Sequence, residues 1–403
     1  MRNATQQELP ILPEAGTMTR AMRRTEPLPP PSIDAVQHSA RLVDHIQHQV
    51  AQSNGWIPFS RYMELALYAP ELGYYTAGSR KLGKDGDFTT APELTPLFGH
   101  TLAQQARDLV DAGLTEILEV GAGSGALAAA MLEELDRLGA VPDRYLILEL
   151  SPELRARERD TLAARVPHLM ERVAWLNQLP PAFSGLIIGN EVLDAMPVEI
   201  VRSGDAGIEQ GGVDRELRWA FRPASGALLA AAEELDLPPG YTTEIGLAAQ
   251  AFVATLADIL QRGAIVFIDY GFPRREYYHP QRSAGTLMCH YRHRAHDDPF
   301  YLPGLQDITA HVDFTAMAEA AHAVGLDVAG YTTQAQLLIN LGLTELMLRT
   351  PPEEASRYLP VAAAANKLLS PAEMGELFKA IAFTRNIDEP LRGFTSGDRR
   401  HTL

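Results

Sequence analysis

The sequence predicts an α/β protein built on a doubly wound parallel sheet, extended by helical segments at both ends and by an insertion between the fourth and fifth strands. Three observations predict it. Short apolar runs alternate with helical stretches through the middle of the chain. A glycine-rich turn, Gly121-Ala-Gly-Ser-Gly125, joins the first run directly to a helix. About 70 residues separate the fourth run from the fifth, too many for one crossover helix.

Residues 1–32 read as a disordered leader that ends in Pro27-Leu28-Pro29-Pro30-Pro31, a run that favours extended polyproline backbone. A helical N-terminal cover over 33–112 follows, with helices expected at Ser32–Gln52, Phe59–Leu67 and Pro96–Asp111. The core, 113–330, carries expected strands at Glu116–Val120, Tyr145–Leu150, Val173–Leu176, Gly185–Gly189 and Ala264–Tyr270. A lid-like insertion occupies about 198–262, with a hairpin around Glu199–Arg222. From Gly271 to about His311 the chain reads as a polar, His-rich loop. Helices are expected at Phe314–Val324, Thr333–Leu341 and Pro371–Ala382, so that 331–403 reads as a helical C-terminal segment.

Composition narrows the function. The 403 residues carry a net charge of −16, which argues against general nucleic-acid binding, since that needs a surplus of Lys and Arg. The single cysteine, Cys289, cannot form an intramolecular disulfide and argues against a secreted, stapled scaffold. No apolar run approaches the ~18 residues of a membrane span. The chain reads as cytoplasmic.

The first strand and its glycine turn carry the chemistry. Gly121, Gly123 and Gly125 admit backbone conformations closed to other residues and let a ligand approach the main chain. The helix that follows offers unpaired N–H groups. Glu149 ends the second strand, where a carboxylate can hold a ribose diol. These parts describe a nucleoside-binding crevice at the carboxyl edge of the sheet. Gly121-x-Gly123-x-x-Ala126 also satisfies the dinucleotide fingerprint, so NAD stays open on spacing alone. Glu119 just before the loop and the 28-residue separation from Gly121 to Glu149 lean towards S-adenosylmethionine.

Taken together, the sequence resembles the MidA-like family of class I (Rossmann-like) S-adenosylmethionine-dependent methyltransferases. The resemblance runs from about Asn54 to His311. It rests on Phe59-Ser-Arg-Tyr-Met-Glu-Leu-Ala-Leu-Tyr-Ala-Pro70, Leu72-Gly-Tyr-Tyr75, Gly86-Asp-Phe-Thr-Thr-Ala-Pro-Glu93 and Glu119-Val-Gly-Ala-Gly-Ser-Gly125. Leu148-Glu-Leu-Ser-Pro152, Asn190-Glu-Val-Leu-Asp-Ala-Met-Pro197 and Asp307-Ile-Thr-Ala-His-Val-Asp-Phe-Thr315 complete it. Mitochondrial members methylate an arginine of a respiratory complex I subunit during assembly. The resemblance therefore implies S-adenosylmethionine as cofactor and a protein substrate, an arginine of a respiratory complex subunit foremost. This chain departs from many relatives at Ala122 and Ser124 in the loop, and at Val192 and Leu193 where aromatics are common.

On that resemblance the cofactor contacts are Gly121, Gly123, Gly125, Glu119 and Glu149, with Asn190 beside them. Asp87, Thr89 and Thr90 are candidates for the methionine end, and Trp175 and Leu176 for the adenine. Glu191 and Asp194 are the candidate guanidinium-orienting pair, because paired carboxylates match a planar cation. Asp307, Thr309, His311 and Asp313 are read as lying near the site too, with His311 a candidate proton acceptor. Bland readings stand beside these: Asn190 and Asp194 as helix caps, Trp175 as core, and His311 within a capping network before Phe314. Cys289, His290, His293 and His296 have ligand chemistry but no frame, and no metal is expected. Two other classes remain in view, an NAD-dependent Rossmann oxidoreductase and a non-catalytic cofactor-binding assembly factor.

Overall fold

Seven strands form the main sheet of the computed structural model, which describes residues 28–77, 90–388 and 390–403. They are β1 (Glu116–Val120), β2 (Arg144–Leu148), β3 (Val173–Leu176), β4 (Phe183–Asn190), β5 (Leu260–Phe272), β6 (Asp327–Thr333) and β7 (Phe378–Arg385). Their order across the sheet is 3-2-1-4-5-7-6. The first five are parallel, and β7 runs antiparallel to both of its neighbours. A two-residue strand, Val312–Asp313, extends the far end of β5.

The strands are apolar because both faces are covered. On one face the helices Pro96–Asp111 and Ala126–Arg137 bury Phe98, Leu102, Met131 and Leu135 against Ile117, Tyr145 and Ile188. On the other, Leu247–Ile259 and Phe314–Ala323 bury Val253, Leu256, Phe314 and Met317 against Leu118, Ile187 and Phe267. Pro31–Leu403 form one compact unit.

The insertion is a five-stranded sheet. Glu199–Gly204 and Gly207–Asp214 make the expected hairpin, flanked by Trp219–Pro223, Thr242–Ile245 and, from the N-terminal segment, Trp56–Pro58. The helices Ile33–Gln52 and Phe59–Tyr68 pack on this sheet through Leu42, Ile46, Phe59 and Met63, so the N-terminal segment and the insertion share one core.

Three expectations are corrected. Pro371–Ala382 is not a helix: only Met374–Leu377 makes a turn of one, and the chain then becomes β7, buried at seven of its eight residues. A strand covered on both faces shows no alternation, and the Glu-Met-Gly-Glu-Leu run before it has helical composition. The supposed loop before His311 contains a small sheet, with Met288–Tyr291 between Arg294–His296 and Asp307–Thr309. Asp327–Thr333 is a strand. The C-terminal segment is therefore helical only in part, and it closes the edge of the main sheet.

Candidate active site

The chain leaves β1 towards one edge of the sheet and β4 towards the other, although the two strands are neighbours. Ligands of open α/β sheets bind at such a switch point, outside the carboxyl ends of the strands. The loop after β1 is shaped for close approach: φ is +67° at Gly121, +60° at Gly123 and +78° at Gly125. Gly125 caps the helix Ala126–Arg137 without a side chain, leaving N–H groups at its first turn. Ser124 donates its hydroxyl to Glu93, which fastens the loop to the segment that precedes the core.

Around this loop the sequence candidates divide. Glu149 is buried just past β2 and accepts the Ser151 amide at 2.7 Å, while the next residue, Leu150, is 73% exposed. The Glu119 carboxyl points into the core and accepts the Tyr145 hydroxyl at 2.5 Å; burial pushes it up to about 7. Trp175 donates Nε1 to Glu158 at 2.7 Å, and the Arg159 guanidinium covers its ring at 4.6 Å. The Leu176 carbonyl accepts from Arg155. Thr90 precedes the short helix Ala91–Leu94 and makes no side-chain capping bond there. Asp87 and Thr89 lie outside the described residues.

The turn after β4 is the second half of the site. Asn190 donates Nδ2 to Glu191 Oε1 at 3.1 Å, and its own Oδ1 is buried with no hydrogen-bond partner among the described residues. Glu191 has a left-handed backbone, φ +55°, held by its amide bond to the Ile268 carbonyl at 2.9 Å. A non-glycine residue in this region stores ~1–3 kcal/mol that the surroundings must offset. The offset comes from Asp269 on β5, whose Oδ2 accepts the amides of Val192 (3.1 Å), Leu193 (2.9 Å) and Asp194 (3.3 Å). Tyr68 adds a hydroxyl bond to the Ala195 carbonyl at 3.0 Å.

Beside this turn lies a cavity of about 270 Å³ walled by Glu191, Asp194, Asp307, Tyr75 and Tyr270. Among the described residues no Lys or Arg lines it. Burial raises Glu191 to about 8, and the Asp194 charge adds to the rise. Burial also raises Asp194, against a hydrogen bond from the Tyr270 hydroxyl. Asp269 is raised well above the ordinary carboxylate range, through burial and then the charges of Asp194 and Glu191. Carboxyls that act on one another in this way cannot all ionise, so the group shares protons at neutral pH.

His311 reaches the same cavity from the far side. Its ring stacks flat on Phe272, centroids 5.3 Å apart, and meets Tyr270 edge-on at 5.1 Å. Burial and then the charges of Arg282 and Lys379 lower it to about 4, so it stands neutral, with Nδ1 lacking a hydrogen-bond partner. Asp313 caps the helix Phe314–Ala323 through the Thr315 and Ala316 amides. Cys289 is buried in the core shared by the N-terminal segment and the insertion, whereas His290, its neighbour in the strand, faces the cavity. Among the described residues no group of three or more His, Cys, Asp or Glu is placed to hold a metal ion.

Sequence reasoning missed Asp269, Tyr75, Tyr270 and the rim residues Leu377 and Phe378. Asp269 had a signal, the one acid in the apolar run Ala264–Tyr270. Leu377 and Phe378 had none, because they reach the pocket only through β7.

The family described as "Putative S-adenosyl-L-methionine-dependent methyltransferase" matches residues 97–332. A crystal structure from Burkholderia thailandensis, bound to S-adenosyl-homocysteine, is 51% identical in sequence. It covers 94% of this chain and 100% of that one, with a TM-score of 0.90. Among curated proteins, the Drosophila melanogaster "Protein arginine methyltransferase NDUFAF7 homolog, mitochondrial" is 27% identical, covering 82% of each chain. The Mus musculus "Protein arginine methyltransferase NDUFAF7, mitochondrial" is also 27% identical, covering 85% of this chain and 84% of that one. The crevice suits the cofactor on its own geometry, with left-handed glycines, a buried acid past β2 and the orphaned Asn190 Oδ1. Strand order, glycine loop and family match agree, and the chain belongs to this family of S-adenosyl-L-methionine-dependent methyltransferases.

Proposed function

We propose that the protein methylates a nitrogen of an arginine side chain in a protein substrate. The observation that carries this reading is the cavity beside the crevice, acidic at Glu191 and Asp194, aromatic at Tyr75 and Tyr270, and free of Lys and Arg among the described residues. A guanidinium is a planar cation with five N–H donors, which carboxylates hold bidentately and ring faces accept. The arginine methyltransferase relatives support the same acceptor.

The glycine loop and Glu149 would hold the cofactor, with Asn190 between it and the acceptor. When bound, S-adenosylmethionine supplies a methyl group on a sulfonium sulfur, already activated for displacement. The chain's residues then have two tasks, orientation and proton removal. Glu191 and Asp194 fix the guanidinium plane, and its positive charge favours their ionised forms. As the N–C bond forms, the nitrogen must lose one proton. Asp194 is placed to take it, since its Oδ1 is buried without a hydrogen-bond partner. His311, neutral on the cavity wall, offers its Nδ1 as a hydrogen-bond acceptor rather than as a cation.

The substrate protein we infer is a respiratory complex subunit, on the resemblance to assembly-linked methyltransferases. We place the protein in the cytoplasm, supported by its single, buried cysteine. The described helices are too short or too polar to cross a membrane.

Calorimetric titration with S-adenosylmethionine, S-adenosyl-homocysteine and NAD tests the crevice, and labelled-methyl transfer followed by acid hydrolysis tests the acceptor. Methylarginine in the hydrolysate, lost in Glu191→Gln and Asp194→Asn with cofactor binding intact, is the expected result. Label on another residue type overturns the arginine reading. Full turnover in both variants overturns the roles assigned to them.

A further inference from the structure

The acid pair on the β4 turn does not explain the whole pocket. Asp307 supplies a third carboxyl group from a different part of the chain, the first residue of the strand Asp307–Thr309. It is 3% exposed, lines the same cavity, and its charge acts on Glu191. Its Oδ1 accepts the Tyr75 hydroxyl at 2.9 Å and the Ile308 amide at 3.0 Å. Tyr75 is itself held, stacked on Tyr68 at 5.4 Å and edge-on to Tyr74 at 5.1 Å. Tyr68 in turn bonds the Ala195 carbonyl, one residue past Asp194. Asp307 is thus locked to the N-terminal segment, which is locked to the β4 turn.

Burying a third acid in a wall that already holds two costs free energy, and all three carboxyls line the one cavity. The arrangement makes sense for a ligand that brings a positive charge and more than one donor edge. An ammonium is a compact point charge that two carboxylates already satisfy, whereas a guanidinium presents donors on several edges of one plane.

We propose that Asp307, braced by Tyr75, is a third acceptor-positioning carboxylate, holding a second edge of the guanidinium whose first edge meets Glu191 and Asp194. It discriminates arginine from lysine at this pocket. This inference rests on the arginine reading, and the experiment separates the two.

The probes are N-acetylarginine amide, N-acetyllysine amide and the neutral N-acetylcitrulline amide, titrated by ligand-observed NMR with the protein saturated by S-adenosyl-homocysteine. Wild type is expected to bind the arginine probe best. Asp307→Asn should weaken it ~10- to 100-fold and the lysine probe far less, with S-adenosyl-homocysteine affinity unchanged. Tyr75→Phe keeps the charge and frees its support, so a loss of ~3- to 10-fold is expected. Asp307→Glu should recover part of the arginine preference. Equal loss for the arginine and lysine probes, or an unchanged arginine affinity in Asp307→Asn, overturns the proposal while leaving the arginine reading in place. Wild type that fails to prefer the arginine probe over the citrulline probe overturns both. If Asp307→Asn does not fold, Tyr75→Phe and Asp307→Glu decide by the same arginine-to-lysine ratio.

Discussion

Asp269 Oδ2 accepts the amide of Leu193 at 2.9 Å, and the same oxygen takes the amides on either side. One buried carboxylate on β5 therefore organises the turn that presents Glu191 and Asp194. Burial pushes it well up, and the charges of Asp194 and Glu191, which it arranges, add to the rise. Asp269 is a positioning residue, and its removal should act through geometry. Asp269→Ala is expected to lower kcat ~10²-fold or more, with S-adenosyl-homocysteine affinity within ~3-fold of wild type. Asp269→Asn, which keeps one acceptor oxygen, should retain more activity than Asp269→Ala. Equal activity in the two variants would remove the hydrogen bonds from the explanation.

Much of the fold was legible because its signals are local. Glu116–Val120 and Val173–Leu176 are strands at the residues their apolar runs mark, and the hairpin begins at Glu199, where it was expected. The parts that were not legible are set by distant contacts. β7 lies between β5 and β6 and takes its conformation from them, against helical composition just upstream. Asp307 and Tyr75 are 232 positions apart and meet only because the N-terminal segment packs beside the small sheet. Glu119 carries a family motif, yet its side chain turns inward to Tyr145, a choice between two faces that no spacing reveals.

Glu191 sets a pH dependence whose sign is unusual for a carboxyl. Its value in the folded protein, about 8, stands above the ordinary ~4.3 of an unfolded chain. Between those values the folded state holds a proton that the unfolded state has released. Stability from this group is therefore full below ~4.3, falls as pH rises towards 8, and stays low above it. Glu191→Gln abolishes this contribution. In urea unfolding from pH 5 to pH 9, the variant should lie closest to wild type at pH 5 and gain roughly 4 kcal/mol on it by pH 9. Parallel curves for the two proteins would refute the assignment. The same proton must leave when a cation binds, so KM for the acceptor should fall as pH rises from 6 to 8.5.

The cofactor loop and the acceptor turn touch at Gly121. A Cβ there would sit 3.1 Å from Val192 Cγ2, on a backbone with φ +67°. Gly121→Ala thus strains the loop and presses on the residue next to Glu191. The expected result is ~10-fold weaker S-adenosyl-homocysteine binding together with a lower kcat at saturating cofactor. Gly123→Val, at φ +60°, should abolish cofactor binding, because a β-branched side chain is least tolerated in that region. Normal calorimetric binding by Gly123→Val would mean that the ligand does not use this loop.

Glu134 links the helix behind the glycine loop to two other parts of the chain. Its carboxylate, 2% exposed, accepts Gln104 Nε2 at 2.8 Å, Arg137 Nε at 2.9 Å and Arg349 Nη1 at 2.7 Å. Burial alone would raise its pKa, but the two guanidiniums hold it down at about 2. The sign is the reverse of that for Glu191. Here the stabilisation is present above ~4.3 and is lost as pH falls towards 2. Arg137 and Arg349 are about half exposed, so water screens part of the attraction and limits its size. Glu134→Gln is expected to cost ~1–2 kcal/mol in urea unfolding at pH 7 and much less at pH 3, where wild type has begun to lose the same interaction. The variant should keep its S-adenosyl-homocysteine affinity, since the glycine loop lies at the other end of Ala126–Arg137. An equal loss at both pH values would show that Glu134 acts through packing rather than charge.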